Sequence, residues 1–370
     1  MLRLSRCSFV WLVGLAAACL LQAGFAAEKS SPPLVSPELL KHAGLKILWE
    51  NELPIKKTES LERLFVLGNR VYAISNRNYV LSLSREDGKI VFGKTVAPAG
   101  LLMEGMKLYG DELVYVNGSS LVQIDAQSGI EQKTVDVGQG MTCPAARNRS
   151  YFYLAGIDKR LHVLRADDMV QTFEVSADNE SVITSILTDD NFVIFATGAG
   201  NVICIAPNRP YRLWQFDASG AIAGPVVRDW MSLFFASKDM NVYRVDMVGL
   251  PERRRLVWKY QAAGVLEEAP RVTQRVVYQH VRGKGVVAID KETASLLWSV
   301  PGGVDLLAEA KGRAYIITDA PMLVVMDNAK AKKLYSVNFA DVSKYAANSM
   351  DDKIYVADKR GRMACLQPAE

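Results

Sequence analysis

Histidine is scarce in this chain. His42, His162 and His280 are the only three in 370 residues, and they fall in separate segments. With no Gly-x-Ser-x-Gly or His-Glu-x-x-His run beside them, neither a Ser-His-Asp triad nor a zinc site is expected, and His162 and His280 read as strand residues. Cysteine is sparse as well, and beyond residue 26 only Cys143, Cys204 and Cys365 remain. An odd number spread over three separate segments excludes a disulfide framework and points to buried thiols acting as small hydrophobes. Charge of one sign is also lacking: without residues 1–26 the chain has 42 basic against 40 acidic residues. So even a balance gives no footing for nucleic acid as a partner.

Only the first residues carry a long apolar run. Arg3 and Arg6 precede the apolar stretch Phe9 to Leu21, and Gly24-Phe25-Ala26 offers small residues at a cleavage position, so residues 1–26 read as an export signal. The run is too short for a transmembrane helix. Ala16-Ala17-Ala18-Cys19 resembles a lipoprotein box with Leu15 one position early, so lipidation of Cys19 stands as the alternative to plain cleavage after Ala26. Either way the expected location is outside the cytoplasm, periplasmic or associated with an outer membrane through a lipid anchor only.

What the chain has in place of catalytic motifs is repetition. A short apolar strand ends at Ser84, Asp125, Arg165, Ala206, Asp246, Asp290, Asp327 and Gln367, at spacings of 41, 40, 41, 40, 44, 37 and 40. Eight positions after these residues come Phe92, Lys133, Phe173, Trp214, Trp298 and Tyr335, while Trp258 follows Asp246 by twelve. A period near 40 with four short strands per copy is the signature of a β-propeller blade. The repeated Asp125, Asp246, Asp290 and Asp327 are expected to accept the N–H groups of their own turns, and the aromatics to fill the wedges between blades. Near-continuous apolar runs such as Phe192 to Phe195 fit strands covered on both faces.

The eighth copy stops three residues after Gln367, before any aromatic strand, and the missing strand stands at the other end. Lys46-Ile47-Leu48-Trp49-Glu50 has the apolar–Trp–polar order of Leu213-Trp214-Gln215 and Leu297-Trp298-Ser299. Residues 45–370 are therefore read as an all-β, eight-bladed propeller, a monomer closed by pairing of its N-terminal strand with the C-terminal blade. Residues 27–44 are a polar tether and a short helix, Pro37 to Ala43, begun by Ser36 as N-cap.

Ala288-Ile289-Asp290-Lys291-Glu292-Thr293-Ala294-Ser295-Leu296-Leu297-Trp298 resembles the tryptophan-docking repeat of quinoprotein-like (PQQ-like repeat) propellers, with Ala294 where glycine is usual. Gln123 to Gly129 and Ser82 to Gly88 are similar. The resemblance implies the fold and leaves function open between branches. One branch is that of the pyrroloquinoline-quinone dehydrogenases and sensors, with calcium as co-ligand. The other is non-catalytic and BamB-like, the propeller lipoproteins of outer-membrane β-barrel assembly.

Blades of about 40 residues leave no long insertions to wall off a cofactor, and no Cys-Cys pair is present. The expectation is therefore a non-enzymatic envelope scaffold without cofactor or metal, whose partners are envelope proteins such as β-barrel assembly components. A quinone-binding enzyme or a sugar- or polymer-binding propeller remain the alternatives. Arg253-Arg254-Arg255, on the one enlarged turn, is the candidate partner-binding feature.

Overall fold

The computed structural model describes residues 33–369, apart from Leu102, Ala223 and Leu250. The export signal at 1–26, Cys19 and the first part of the tether lie outside the described residues.

Eight four-stranded antiparallel sheets follow one another. Blade 1 spans residues 61–95, blade 2 103–136, blade 3 146–176, blade 4 183–217, blade 5 227–261, blade 6 271–301 and blade 7 303–338. Blade 8 takes its inner three strands from 344–368 and its outer strand from Leu45–Glu52. The closing register sets Ile47 against Leu366 and Trp49 against Cys365. The expected ring, with its eight blades and its closure, is observed.

Middle strands are largely apolar because neighbouring blades cover both their faces. Val193–Thr197 and Asn201–Ile205 are buried at every position. Outer strands such as Glu131–Asp136 and Gln171–Ser176 alternate between exposed and half-buried, since they have one sheet neighbour and an open side. The core is accordingly divided into eight hydrophobic clusters, one at each blade interface. At the closure, Trp49, Tyr355 and Cys365 of blade 8 pack with Val71, Ala73 and Leu81 of blade 1. The second strands also carry a column that the period alone does not reveal: Tyr72, Tyr115, Tyr153, Tyr278, Tyr315 and Tyr355 are among the largest fully buried side chains.

The docking repeat has a definite geometry. Trp49 Nε1 donates to Arg85 O at 3.1 Å, Trp214 Nε1 to Pro251 O at 2.9 Å, Trp258 Nε1 to Lys291 O at 2.9 Å and Trp298 Nε1 to Asn328 Oδ1 at 3.0 Å. Each tryptophan thus reaches the outer turn of the next blade. At Gly88 and Gly129 the rings of Trp49 and Phe92 lie where a Cβ would stand 2.5 Å away. These glycines also have φ of +71° and +72°, so both the conformation and the close approach favour glycine. Met169, Ala294 and Ala331 occupy the same column with φ of 63°, 62° and 51°. Lys133, the non-aromatic member of its column, extends its amine to Asp167 O at 3.4 Å.

Three expectations need correction. Asp125, Asp290 and Asp327 do accept N–H groups of their own turns, but Asp246 does not. In blade 5 the third and fourth strands continue past it, over Asn241–Val248 and Arg253–Gln261, so Asp246 lies within a ladder opposite Arg255. Its carboxylate instead receives Ser232 Oγ at 2.7 Å and Arg244 Nε at 3.2 Å. Tyr335 is 43% exposed and does not fill a wedge. The outer turn it would dock on belongs to blade 8, whose third and fourth strands, Arg362–Pro368 and Leu45–Glu52, come from opposite ends of the chain and are not joined by a turn. The helix Pro37–His42 packs there instead, with Leu40 beside Val337 and Phe339. Finally, Ser36 makes no side-chain cap; its carbonyl accepts Leu40 N at 3.0 Å, and Gly44 ends the segment at φ +67°.

Cys143, Cys204 and Cys365 are buried thiols. Cys204 and Cys365 stand opposite Trp214 and Trp49 in their ladders, and burial pushes the Cys365 thiol up to about 12.

Candidate interaction surface

In each blade the turn joining first to second strand and the turn joining third to fourth lie at the same end. That end of the ring carries the side chains best suited to contact another molecule. In blades 1, 2, 5 and 7 the inner turn begins with a residue in left-handed conformation: Gly68, Gly110, Trp230 and Lys311, at φ 56°, 57°, 53° and 49°. Glycine is suited to this conformation; tryptophan is not. Trp230 is nevertheless there, 87% exposed, the most exposed large hydrophobic side chain described. Neither packing nor backbone preference accounts for it, and strain of this kind concentrates at functional sites.

Its surroundings fix the turn firmly. Arg228 Nε donates to Trp230 O at 2.6 Å, and Met247 N donates to Met231 O at 2.8 Å. Arg228 also pairs with Asp189 at 2.8 Å and lies 4.8 Å over the Phe192 ring, tying the inner turn of blade 5 to that of blade 4. Asp189 in turn caps Asn191 N at 2.8 Å, and its carbonyl accepts Asn148 Nδ2 at 3.0 Å on blade 3. Asp189 and Asp190 are thus turn residues. A stiff frame across blades 3 to 5 presents the indole.

Beside it stands the extended hairpin of blade 5. Arg253, Arg254 and Arg255 are not on a loop, as the sequence suggested; they lie in a strand and pair with Val248, Met247 and Asp246. Arg254 turns back over the Phe216 ring of blade 4 at 5.2 Å, and Arg255 lies 3.4 Å from Asp246. Two of the three cations are therefore engaged within the fold. Arg253 remains exposed near the tip, with Val248 opposite it at 43% exposure. The structure brings Trp230, Val248 and Arg253 to one end of blade 5.

The structural aromatics Trp49, Trp214, Trp258 and Trp298 are buried and Phe92 and Phe173 half-buried, all at blade interfaces, and Trp214 reaches Pro251 O in the outer turn of blade 5. Sequence reasoning missed Trp230. Its signal was an aromatic in the Asp229–Ser232 hairpin, at a position where blades 1 and 2 have glycine. His162, on the strand Arg160–Arg165, is buried against Asp158 at 2.9 Å, and His280 lies on a strand of blade 6. Among the described residues no three His, Cys, Asp or Glu side chains stand together as metal ligands, and no helix is long and apolar enough to cross a membrane.

Residues 198–370 match the model of a family described as outer membrane protein assembly factor BamB. The whole fold is similar to the crystal structure of BamB from Moraxella catarrhalis, with a TM-score of 0.67 and 14% identity over 87% of this chain and 99% of that one. A computationally designed protein, Ika8, gives a TM-score of 0.65 at 12% identity over 87% and 99%. The Cps50 (Swd1) β-propeller domain of Myceliophteria thermophila gives 0.55 at 11% over 86% and 99%. At such identities the structural likenesses speak for the fold alone. Compared by sequence, the chain matches no curated protein. The quinoprotein-like, BamB-type repeat read from the sequence is thus found again over residues 198–370, from the third strand of blade 4 to the C-terminal strands of blade 8.

Proposed function

We propose that this chain is a non-enzymatic scaffold of the cell envelope that acts, as BamB does by name, in the assembly of outer-membrane proteins. The observation that carries the reading is the match of residues 198–370 to that family, a stretch that contains the whole of blade 5 with Trp230 and the extended hairpin.

The physics of the surface agrees with protein binding. An exposed indole held at fixed orientation is the kind of side chain that anchors an interface, because it buries a large area with little loss of conformational freedom. Val248 and the half-engaged arginines around it supply an apolar and cationic margin. An export signal over residues 1–26, cleaved after Ala26, completes the proposal; cleavage before Cys19 with acylation of that residue is the alternative, and it would attach the chain to a membrane.

The test is capture from an envelope fraction with the wild-type chain and with Trp230→Gly. Wild type is expected to retain an outer-membrane β-barrel assembly component. Trp230→Gly should lose it while melting at an equal or higher temperature, since glycine relieves the left-handed turn. Recovery of no such component by the wild type would refute the proposal. Equal recovery by both would move the contact away from blade 5.

A further inference from the structure

A cavity of about 420 Å³ lies between the inner strands of blades 2, 3 and 4, within the range of small-ligand sites. It exists because the inner strand of blade 3 is cut short to Ala146–Arg147, where blades 2 and 4 have Met103–Tyr109 and Ile183–Thr188. In blade 2 the register against Glu112–Asn117 breaks between Glu104 and Lys107. Such a bulge redirects the side chains around it. Lys107 crosses the gap left by blade 3, and its Nζ donates to Ile186 O of blade 4 at 2.8 Å.

The Lys107 amine is short of acceptors. An ammonium offers three N–H donors, and among the described side chains and backbone a single acceptor meets this one. Among the described side chains no carboxylate comes within ion-pairing distance of it. Burial pulls the amine below the ordinary lysine range, opposed by Cys143.

Arg147, on the same wall, pairs with Glu112 and is sandwiched between the rings of Tyr109 and Phe152, each 4.7 Å away. Its Nε is nonetheless buried without a partner. The acids at the mouth are already engaged, Asp189 by Arg228 at 2.8 Å and Asp190 by Arg149 N at 3.0 Å. The remaining walls are largely apolar, formed by Leu108, Val114, Ala145 and Leu187.

We infer that this cavity binds a small organic monocarboxylate with a compact apolar body, the carboxylate received by Lys107 and the body lying on Leu108, Val114 and Leu187. A free acid and the C-terminal carboxylate of an apolar peptide share this chemistry. The inference does not depend on the proposed role in membrane-protein assembly.

Calorimetric titration of the protein with 3-phenylpropionate and 3-phenylpropanamide, and with Ala-Val-Phe bearing a free or an amidated C-terminus, tests it. At least one of the two acids should bind, and its amide should bind at least ~10-fold more weakly, as expected for loss of a buried charged hydrogen bond. Lys107→Met should reduce the acid to the level of its amide. Binding of the peptide acid identifies a chain end as the ligand, and binding of 3-phenylpropionate alone a free acid. Equal binding of acid and amide, binding of neither acid, or undiminished binding by Lys107→Met overturns the inference. Should Lys107→Met not fold, the acid–amide comparison on the unaltered protein decides alone.

Discussion

Trp49 is the residue on which closure of the ring can be measured. It comes from the first strand, is 7% exposed, lies on Gly88 of blade 1, and donates to Arg85 O at 3.1 Å. Its ring centre is 6.2 Å from that of Tyr355 on blade 8. Removing such a side chain costs the transfer energy of the ring and leaves a cavity, about 3–5 kcal/mol for Trp49→Ala. Trp49→Phe keeps most of the ring and loses the N–H donor, leaving a cost of about 1–2 kcal/mol.

Tyr335→Ala supplies the contrast. Tyr335 holds the corresponding position in blade 7 but is 43% exposed with no outer turn to dock on, so its removal should cost about 0.5 kcal/mol. Urea unfolding followed by far-ultraviolet circular dichroism gives the three values. Sedimentation should show association of Trp49→Ala, whose strand Arg362–Pro368 loses its cover as Leu45–Glu52 detaches. If Trp49→Ala is no more destabilising than Tyr335→Ala, the first strand does not hold the ring shut.

Three other perturbations follow from the turns and the core. Ala294 has φ +62° where Gly88 and Gly129 occupy the equivalent column, so Ala294→Gly should stabilise by about 0.5–1 kcal/mol, read as a rise in urea midpoint. Asp125 accepts Ser128 Oγ and N at 2.7 Å each, and these bonds depress its carboxyl pKa below 3.8. A depressed folded-state pKa contributes stability that is present above the unfolded value and is lost as pH falls through the folded one; Asp125→Asn should therefore flatten the fall in melting temperature below pH 4. Cys204 and Cys365 are fully buried with raised pKa values, so a thiol reagent should label them at the rate of unfolding and leave them intact in the native protein.

Much of the architecture was legible because the ring repeats a local pattern. The spacing of Asp125, Asp290 and Asp327 marked real turns, and the likeness of Trp49 to Trp214 and Trp298 located the closing strand. Asp246 was misread for a definite reason: four residues added to a hairpin lengthen each strand by two and preserve alternation, so an extended ladder resembles an enlarged loop. The spacing of twelve from Asp246 to Trp258 held that signal.

Tyr335 followed the pattern in sequence but not in space, because its docking partner would have to be supplied across the two chain ends. Trp230 and Lys107 were invisible for another reason. Each departs from the repeat in a single blade, and a period reports only what blades share. Side chains that one blade alone carries, such as Trp230 and Lys107, come to light when the repeat is subtracted.

The pairing of Leu45–Glu52 with Arg362–Pro368 also sets an order of events. The first ordered strand to be synthesised is the last to find its place, since its neighbour emerges only at the end of translation. Until then blade 1 waits with the face beneath Trp49 uncovered, and seven sectors can stack on one another without any of them completing the circle. Folding of this ring therefore ends where the chain began, and a chain interrupted late in blade 8 has a loose first strand and an adhesive flank in place of a finished molecule.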